Sequence, residues 1–391
     1  ICYIYICTNL NKMNSGKLQN PFPVTTYQGP DYFCDREQET LKLLNNISAG
    51  MSTVLISIRR IGKTGLLQHM LKRLPHGFRG IYLDILETES IHHFLNHLGT
   101  ALLLAESEET GPGRKIWNFI KSLRPVITFE TLTGAPQASF DFRPGQAEQS
   151  IDSILSFLDS QSFRTVIAID EFQQITYYPE KNTDAWLRTR MQQMKNTVFI
   201  FSGSQQHIMS DLFASPKRPF FRSTSIMRLE KIDFIVYRDF ITDQFKRYGK
   251  EISNEIAEDI LHWGDRHTYY IQIVCNRVFT AASKSVTSNL WKQQVYELLK
   301  EQEIVFFGYR NLLTRNQWQL LKAIAREGKV FKPTSREFLS RYGLLNSASV
   351  LRSLQSLMKY ELVFSDFDSE GTPYYSIYDI LFQKWCLMNK Y

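Results

Sequence analysis

Residues 53–64 constrain the fold of this chain more than any other stretch of its sequence. They read Thr-Val-Leu-Ile-Ser-Ile-Arg-Arg-Ile-Gly-Lys-Thr, a run rich in β-branched residues that breaks into Gly62, Lys63 and Thr64 before an apolar-periodic segment begins. β-branched residues favour a strand, and the periodic segment favours a helix. The stretch therefore predicts a strand, a loop and a helix, the order in which backbone N–H groups and a helix N-terminus converge on one phosphate.

The loop between these two elements fits the phosphate-binding pattern G-x-x-x-x-G-K-[ST] at every fixed position except the first, where Ser57 replaces glycine. Gly62 lets the backbone approach a phosphate, Lys63 can reach the β- and γ-phosphates, and the Thr64 hydroxyl is a candidate Mg²⁺ ligand. A lysine at the start of an ordinary helix is the alternative for Gly-Lys-Thr alone. The candidate nucleotide-binding residues of the loop are Ser57, Ile58, Arg59, Arg60, Ile61, Gly62, Lys63, Thr64 and Gly65.

A second motif, about a hundred residues later, supports a nucleotide site. Residues 164–171 read Arg-Thr-Val-Ile-Ala-Ile-Asp-Glu, which is typical of a buried parallel strand whose C-terminal end meets a ligand. Asp170 can hold Mg²⁺ through water, and Glu171 can polarise the water that attacks a γ-phosphate. Alone, the two acids would be an acidic pair at a helix N-terminus. Together with Lys63 and Thr64 they predict one Mg²⁺–nucleotide site.

Two further segments carry candidate catalytic residues. Residues 197–204 predict a strand that ends in Ser202-Gly203-Ser204, where a hydroxyl could touch the γ-phosphate or the attacking water. A simple turn is the alternative for these serines. The basic, aromatic loop 216–222 ends in Arg222, which could reach transition-state charge in its own chain or in a neighbour's site. A solvated surface arginine is the alternative there.

The length and composition bound the class of protein. A chain of 391 residues with 43% hydrophobic content is expected to form two or three domains. No apolar stretch is long enough to span a bilayer, and five scattered cysteines favour a reducing cytoplasm. The net charge of +7 permits nucleic-acid binding without requiring it. Because the chain begins at Ile1, we expect Met13 to be the natural start, which N-terminal mass analysis of the protein from its own cell would test.

The order of predicted elements divides the chain into four segments. Residues 1–26 are irregular, and residues 27–230 predict an α/β core with a parallel sheet and a β-hairpin inserted at about 124–143. Residues 231–308 are helical by period and predict a small α-bundle. Residues 309–391 predict three helices and a β-wing, which is the order of a winged-helix domain.

Capping residues predict where several helices begin. Asp35 is the predicted N-cap of a helix that runs to about Asn46, with acidic residues in its first turn. Ser253 and Thr287 mark the predicted starts of two helices in the α-bundle.

The sequence leaves the partner of the winged helix open. Residues 311–391 contain eleven Lys and Arg against seven Asp and Glu, a weak basic excess. The predicted reading helix carries small polar residues and Arg352, and it could enter a major groove. Winged helices also serve as protein-contact modules, so DNA and protein are both candidate partners.

Six motifs together resemble those of a known family. They are Phe33-Cys34-Asp35-Arg36-Glu37, Arg59-Arg60-Ile61-Gly62-Lys63-Thr64, Ala168-Ile169-Asp170-Glu171-Phe172-Gln173, Ser202-Gly203-Ser204, Phe221-Arg222 and Tyr378-Asp379-Ile380-Leu381-Phe382-Gln383-Lys384-Trp385. The family is that of the archaeal-type P-loop ATPases, which are related to the AAA+ and STAND ATPases, and the resemblance covers about residues 27–391. It implies a P-loop NTPase αβα core, an α-helical lid and a C-terminal winged-helix domain. It also implies ATP as the nucleotide, with the adenine beside Phe33 and Arg36.

The sequence departs from the family pattern at Ser57 and at Thr268, which stands where the family tends to have the proline of a Gly-x-Pro before the lid helix. We expect these departures to affect hydrolysis rate and lid coupling more than binding. The residues and the resemblance together predict an ATP-binding protein that hydrolyses ATP slowly with Mg²⁺ as a conformational switch. The alternatives are a nucleotide-gated DNA-binding regulator and a protein-interaction scaffold, both with negligible hydrolysis. A homo-oligomer stays open because Arg222 could act within one chain or across subunits.

Overall fold

The computed structural model describes residues 18–141 and 146–388, which divide into two compact units. The first unit contains residues 18–19 and Thr25–Glu230, and the second contains Asn20–Val24 and residues 231–388. The predicted start at Met13 and most of the predicted irregular segment 1–26 lie outside the described residues.

The strands of the described residues explain the α/β class. They are β1 (Thr53–Ile56), β2 (Phe78–Asp84), β3 (Val126–Phe129), β4 (Pro136–Ser139), β5 (Arg164–Asp170), β6 (Thr197–Gly203), β7 (Ser225–Arg228), β8 (Val363–Phe367) and β9 (Pro373–Ile377). Five of them form one sheet in the order β2-β5-β6-β1-β7, in which all neighbours are parallel. β3 pairs with β4 and β8 pairs with β9, both in antiparallel hairpins. The predicted parallel α/β fold is therefore confirmed.

The α-helices follow the predicted order along the chain. In the first unit they are α1 (Glu37–Ser48), α2 (Lys63–Leu71), α3 (Ile91–Ala105), α4 (Gly111–Ser122), α5 (Gln146–Asp159), α6 (Thr183–Gln193) and α7 (Gln206–Ala214). In the second they are α8 (Phe234–Arg247), α9 (Asn254–Trp263), α10 (Thr268–Ala281), α11 (Ser288–Leu312), α12 (Arg315–Glu327), α13 (Arg336–Tyr342), α14 (Ser347–Lys359) and α15 (Ile380–Met388).

Apolar side chains cover both faces of the parallel sheet. On β6, Phe199 and Phe201 pack into one core cluster with side chains of α3, α5 and α7. Val198 and Ile200 point to the other face and pack with side chains of α1 and α2. Because neighbouring residues of a strand point to opposite faces, a strand covered on both sides must be apolar throughout. The helix–sheet–helix layering follows from these continuous apolar runs.

The strand register brings the chemically active ends of several strands to one edge of the sheet. Ile56, the last residue of β1, pairs with Gly203 at the end of β6. Asp84, the last residue of β2, pairs with Asp170 at the end of β5. In parallel sheets this carboxyl edge is where ligands bind.

Helix starts match the predicted caps in the second unit and differ from them at α1. The side chains of Ser253 and Thr287 accept hydrogen bonds from the first turns of α9 and α11, as predicted. The prediction for Asp35 is wrong, because α1 begins at Glu37 after Arg36, and no side chain caps it. Asp35 and Arg36 both have positive φ, 55° and 68°, so the chain enters the helix through a left-handed turn.

The second unit joins the helical bundle to the winged helix without a linker. α11 is one continuous helix that contains the predicted boundary between residues 308 and 309. Asp379 accepts hydrogen bonds from the hydroxyls of Tyr270 on α10 (3.2 Å) and Tyr309 on α11 (3.3 Å). It also accepts one from the backbone of Leu381 in α15, at 2.9 Å. One carboxylate thus ties three helices together.

Across the described residues, none of the helices is long and apolar enough to cross a membrane.

Candidate nucleotide site

The loop between β1 and α2 is shaped by two left-handed residues. Gly62 has φ of 101°, a conformation that costs glycine little, whereas Arg60 adopts φ of 67° despite its side chain. Ser57, which replaces the first glycine of the pattern, is not one of the residues with positive φ. Its side chain is buried, and its hydroxyl donates to the carbonyl of Ile58 at 3.0 Å. The loop therefore accommodates serine by turning at Arg60 and Gly62.

Lys63 is buried inside this loop. Its Nζ donates to the carbonyl oxygens of Ser57 and Ile58 at 3.3 and 3.1 Å, and to the Ser57 hydroxyl at 3.3 Å. Burial lowers the pKa of the Lys63 amine, while the charges of Glu171 and Asp170 act in the opposite direction. All three N–H bonds of the ammonium are directed at neutral oxygens of its own loop. A phosphate bound there would replace these neutral acceptors with negatively charged oxygens.

The two predicted Mg²⁺ ligands are in direct contact. The Thr64 hydroxyl donates to Oδ2 of Asp170 at 2.7 Å, and the Tyr82 hydroxyl donates to the same oxygen at 3.0 Å. Burial first, and then the Asp170 charge, raise the pKa of Tyr82 well above its ordinary value, so the phenol remains a donor. Asp170 is 1% exposed, and its position is thus set by neighbours from α2 and β2.

A second, partly buried carboxylate lies beside Asp170. Asp84 is its register partner on β2, and burial followed by the Asp170 charge raises the pKa of Asp84 to about 7. Its Oδ1 accepts from the backbone N–H of Leu86 at 2.9 Å. Sequence reasoning missed Tyr82 and Asp84. The signal that could have found them is that the second strand, like the strand 164–171, ends in an acid.

Glu171 and Ser204 meet at the ends of β5 and β6. The Ser204 hydroxyl donates to Oε2 of Glu171 at 2.7 Å, and Nε of Arg59 donates to the Ser204 oxygen at 3.3 Å. Ser202 is also fully buried, and within residues 18–141 and 146–388 its hydroxyl oxygen has no hydrogen-bond partner. Of the two predicted serines, Ser204 therefore connects the phosphate loop to Glu171.

The residues expected beside the adenine lie next to α2. The ring of Phe33 approaches Gly65 so closely that a Cβ there would be 3.3 Å away, and it stacks on His69 with centroids 4.4 Å apart. Arg36 is 4% exposed and pairs with Glu39 at 2.7 Å. Its second amino group lies 3.5 Å from the carbonyl of Ile61 in the phosphate loop. Phe33 and Arg36 are thus brought to the same loop and helix as Lys63.

Arg222 is the predicted site residue that the fold does not bring into this cluster. It is exposed, and its guanidinium lies 5.1 Å from the ring centroid of Phe221. It precedes β7, whose first residue, Ser225, pairs with Thr53 at the start of β1. The phosphate loop follows the C-terminal end of β1. Arg222 therefore lies near the N-terminal ends of β1 and β7, on the side of the sheet opposite the loop.

The donor set fits Mg²⁺ and a nucleotide phosphate. Asp84, Asp170 and Glu171 come together at one edge, and the raised pKa of Asp84 reflects both its burial and this crowding of negative charge. A divalent cation would relieve the crowding, and hydroxyl and carboxylate oxygens are the ligands that Mg²⁺ prefers. Thr64 and Asp170 are the residues that would hold the cation, and Lys63 with the loop N–H groups would hold phosphate.

The parallel sheet, the phosphate loop and the acidic end of β5 define the class of P-loop ATPases. The sequence profile of a family described as an ATPase domain predominantly from Archaea matches residues 33–274, and the profile of a probable winged helix domain matches residues 304–388. The chain therefore belongs to this archaeal-type ATPase family. The resemblance inferred from the sequence is confirmed, as is the prediction of a nucleotide-binding ATPase that carries a winged helix.

Solved structures share this fold over nearly the whole chain. A Walker-type ATPase of Pyrococcus abyssi has 16% identity and a TM-score of 0.65, covering 94% of this chain and 99% of that one. The ORC2 protein of Aeropyrum pernix, in ADPNP and ADP complexes, has 12% identity and a TM-score of 0.55, covering 90% and 92%. Cdc6p from Pyrobaculum aerophilum has 13% identity and a TM-score of 0.50, covering 94% and 96%. No curated protein sequence matches the chain.

Proposed function

We propose that this protein binds ATP with Mg²⁺ and hydrolyses it slowly, using the ATP and ADP states as a conformational switch. The observation that carries the proposal is the meeting of the phosphate loop with the end of β5, where Thr64 contacts Asp170 at 2.7 Å. A buried lysine, a hydroxyl and two carboxylates at one sheet edge are the groups that phosphoryl transfer to water requires.

Each residue has a distinct part in this mechanism. Lys63 leaves its loop oxygens and binds the β- and γ-phosphates as a point charge. Thr64 and Asp170 would hold Mg²⁺, which would supply charge neutralisation on the phosphates. Glu171 accepts a hydrogen bond from the attacking water and orients it in line with the γ-phosphate. Ser204 donates its hydroxyl proton to Glu171 and so helps to hold that carboxylate in place.

The loop geometry places a cost on nucleotide binding. The Lys63 ammonium must give up its bonds to Ser57 and Ile58 before it reaches a phosphate. Each such hydrogen bond contributes about 1 kcal/mol, so nucleotide binding carries a cost of reorganising the loop.

The second unit supports the switch. Because Asp379 links Tyr270 and Tyr309, a movement of α10 would carry the winged helix with it. A difference of a few kcal/mol between the two nucleotide states is enough to shift such an equilibrium.

The test is ATP and ADP affinity with Mg²⁺, measured beside phosphate release. Lys63→Ala should abolish measurable nucleotide binding, because several charge-assisted bonds to phosphate are lost at once. Glu171→Gln should retain ATP and stop turnover, since the amide cannot accept a proton. Lys195→Ala, at an exposed lysine of the same unit, is the matched control and should behave like the wild type. Equal ATP affinity of Lys63→Ala and wild type would refute the site assignment.

A second candidate function, a nucleotide-gated DNA-binding regulator, is favoured by the match of a winged-helix profile to residues 304–388. On α14 the exposed side chains include Arg352 and Gln355, which could read a major groove, and also Leu351, which suits a protein contact. A salt-sensitive shift of duplex DNA by the full chain, weakened by Arg352→Ala, would support DNA as the partner. No shift in either nucleotide state would favour a protein partner.

The position of Arg222 supports action in a neighbouring subunit. Its approach from the edge of β1 opposite the phosphate loop makes contact with its own nucleotide difficult. Turnover per subunit should then rise with protein concentration, and Arg222→Ala should remove that rise while leaving ATP affinity unchanged. Concentration-independent turnover would contradict a role across subunits.

A further inference from the structure

We propose that Gln173 is a positioning residue that fixes Glu171 for attack of water on the γ-phosphate. The inference rests on the proposed role of Glu171 in ATP hydrolysis. Nε2 of Gln173 donates to Oε2 of Glu171 at 2.5 Å, and the Ser204 hydroxyl donates to the same oxygen at 2.7 Å. Gln173 lies in the 3₁₀ turn that follows β5, whereas Ser204 follows β6. The carboxylate is therefore held from two separate elements.

This arrangement separates the two oxygens of Glu171. Oε2 is saturated by the Gln173 amide and the Ser204 hydroxyl, while Oε1 makes no hydrogen bond within the described part of the chain. A carboxylate anchored through one oxygen presents the other in a defined direction. Because a general base acts only within hydrogen-bond reach of its water, the anchor determines whether Oε1 is productive.

Gln173 is buried, and the one hydrogen bond that its amide makes to the described residues is the bond to Glu171. The residue is 1% exposed, and among residues 18–141 and 146–388 its Oε1 has no hydrogen-bond donor. An unsatisfied buried acceptor costs about 1–3 kcal/mol, a cost that an apolar side chain of similar size would avoid. What the amide provides in return is the Nε2 bond to Glu171.

Gly203 provides the space for this amide. A Cβ on Gly203 would lie 2.5 Å from Oε1 of Gln173 and 2.5 Å from Sδ of Met209. Alanine at this position would therefore displace the Gln173 amide and the Met209 side chain without changing the chemistry of either. The Ser202-Gly203-Ser204 motif then has two linked parts, since Gly203 admits Gln173 and Ser204 shares its target oxygen.

The experiment compares single-turnover hydrolysis and ATP affinity in full-length variants. Gln173→Leu should lower the hydrolysis rate about 10- to 100-fold, because a misplaced general base forfeits part of its contribution, and should change ATP affinity less than about twofold. Gly203→Ala should produce the same split. In a Glu171→Asp background, whose shorter carboxylate no longer reaches the amide, Gln173→Leu should change the rate less than about twofold.

Each other outcome overturns the assignment. A wild-type or faster rate in Gln173→Leu means that the amide does not position Glu171. If Gln173→Leu lowers ATP affinity as much as it lowers the hydrolysis rate, Gln173 has a structural role. The same conclusion follows if Gln173→Leu lowers the rate by the same factor in the Glu171→Asp background as in the wild type. If Gln173→Leu does not fold, Gly203→Ala with a wild-type rate decides against the proposal. If the wild-type protein binds ATP but does not hydrolyse it, the proposed hydrolysis itself is refuted. If the wild type is active, Glu171→Gln is inactive and Gln173→Leu hydrolyses ATP at the wild-type rate, only this inference is refuted.

Discussion

Replacing Asp84 by asparagine should stabilise the nucleotide-free protein at pH 8 and have little effect near pH 4. Burial and the neighbouring Asp170 raise the pKa of Asp84 from 3.8 to about 7, so the folded protein holds this proton more tightly than the unfolded chain does. The stability that the proton provides is complete below about pH 4 and is lost as the pH rises toward 7. Above pH 7 the folded state contains an ionised carboxylate beside Asp170, and the loss is constant.

The magnitude follows from the two pKa values. Each tenfold difference in proton affinity corresponds to about 1.4 kcal/mol, so a pKa of about 7 against 3.8 corresponds to about 4 kcal/mol of lost stability at pH 8. At pH 5 the loss is less than half of that. The asparagine variant does not lose this stability, because its amide carries no charge. The Oδ1 atom of the asparagine can still accept a hydrogen bond from the Leu86 N–H. The variant should therefore gain up to about 4 kcal/mol over wild type at pH 8.

Urea denaturation of the full chain at pH 5 and pH 8 measures this difference, and amide hydrogen exchange in β2 and β5 locates it at the site. Asp141→Asn removes the same charge from an exposed position of the same unit, and it should show no pH-dependent gain. If Asp84→Asn is no more stable than wild type at pH 8, or if its gain is equal at both pH values, the electrostatic reasoning about the two aspartates is wrong.

Two further predictions concern hydrogen bonds to carboxylates. Tyr82→Phe removes a donor from buried Asp170 and should lower the free energy of unfolding by about 1.5–3 kcal/mol, whereas Tyr342→Phe, which loses an exposed bond to Glu327, should cost less than about 1 kcal/mol in the same urea titration. Asp379→Ala removes the bonds to two tyrosines and to the start of α15, and should lower stability by about 2–3 kcal/mol, with faster amide exchange in α15; unchanged exchange there would contradict its bridging role.

Most of the site was predictable from short segments of sequence. Gly62, Lys63 and Thr64 follow a β-branched run, and Asp170 with Glu171 follow another, so each half of the site is a local pattern with its own physical meaning. Their meeting was predictable too, because carboxyl ends of parallel strands share one edge.

The acid at the end of the second strand was a signal for Asp84, but the contacts that Tyr82, Asp84 and Gln173 make in the site were not predictable. Their contacts with Asp170 and Glu171 depend on β2 lying next to β5 and on a 3₁₀ turn after β5, and neither has a local signature. Asp35 failed as a helix cap for a related reason, since its left-handed backbone depends on how the chain enters α1. The predicted hairpin exists, and its strands β3 at Val126–Phe129 and β4 at Pro136–Ser139 lie within the predicted stretch of about 124–143, of which residues 142–143 lie outside the described residues.

By itself, the sequence determined the class of this protein, the order of its elements and the groups that form the candidate nucleotide site, because periodicity, turn residues and motif spacing act over a few residues. Only the tertiary structure decided which side chains surround those groups. It placed Asp84 beside Asp170, anchored Glu171 through Ser204 and Gln173, and set Arg222 at the opposite edge of the sheet. The reason is that pKa values, buried hydrogen bonds and reach depend on strand order and register, which the chain acquires only when distant segments pack together.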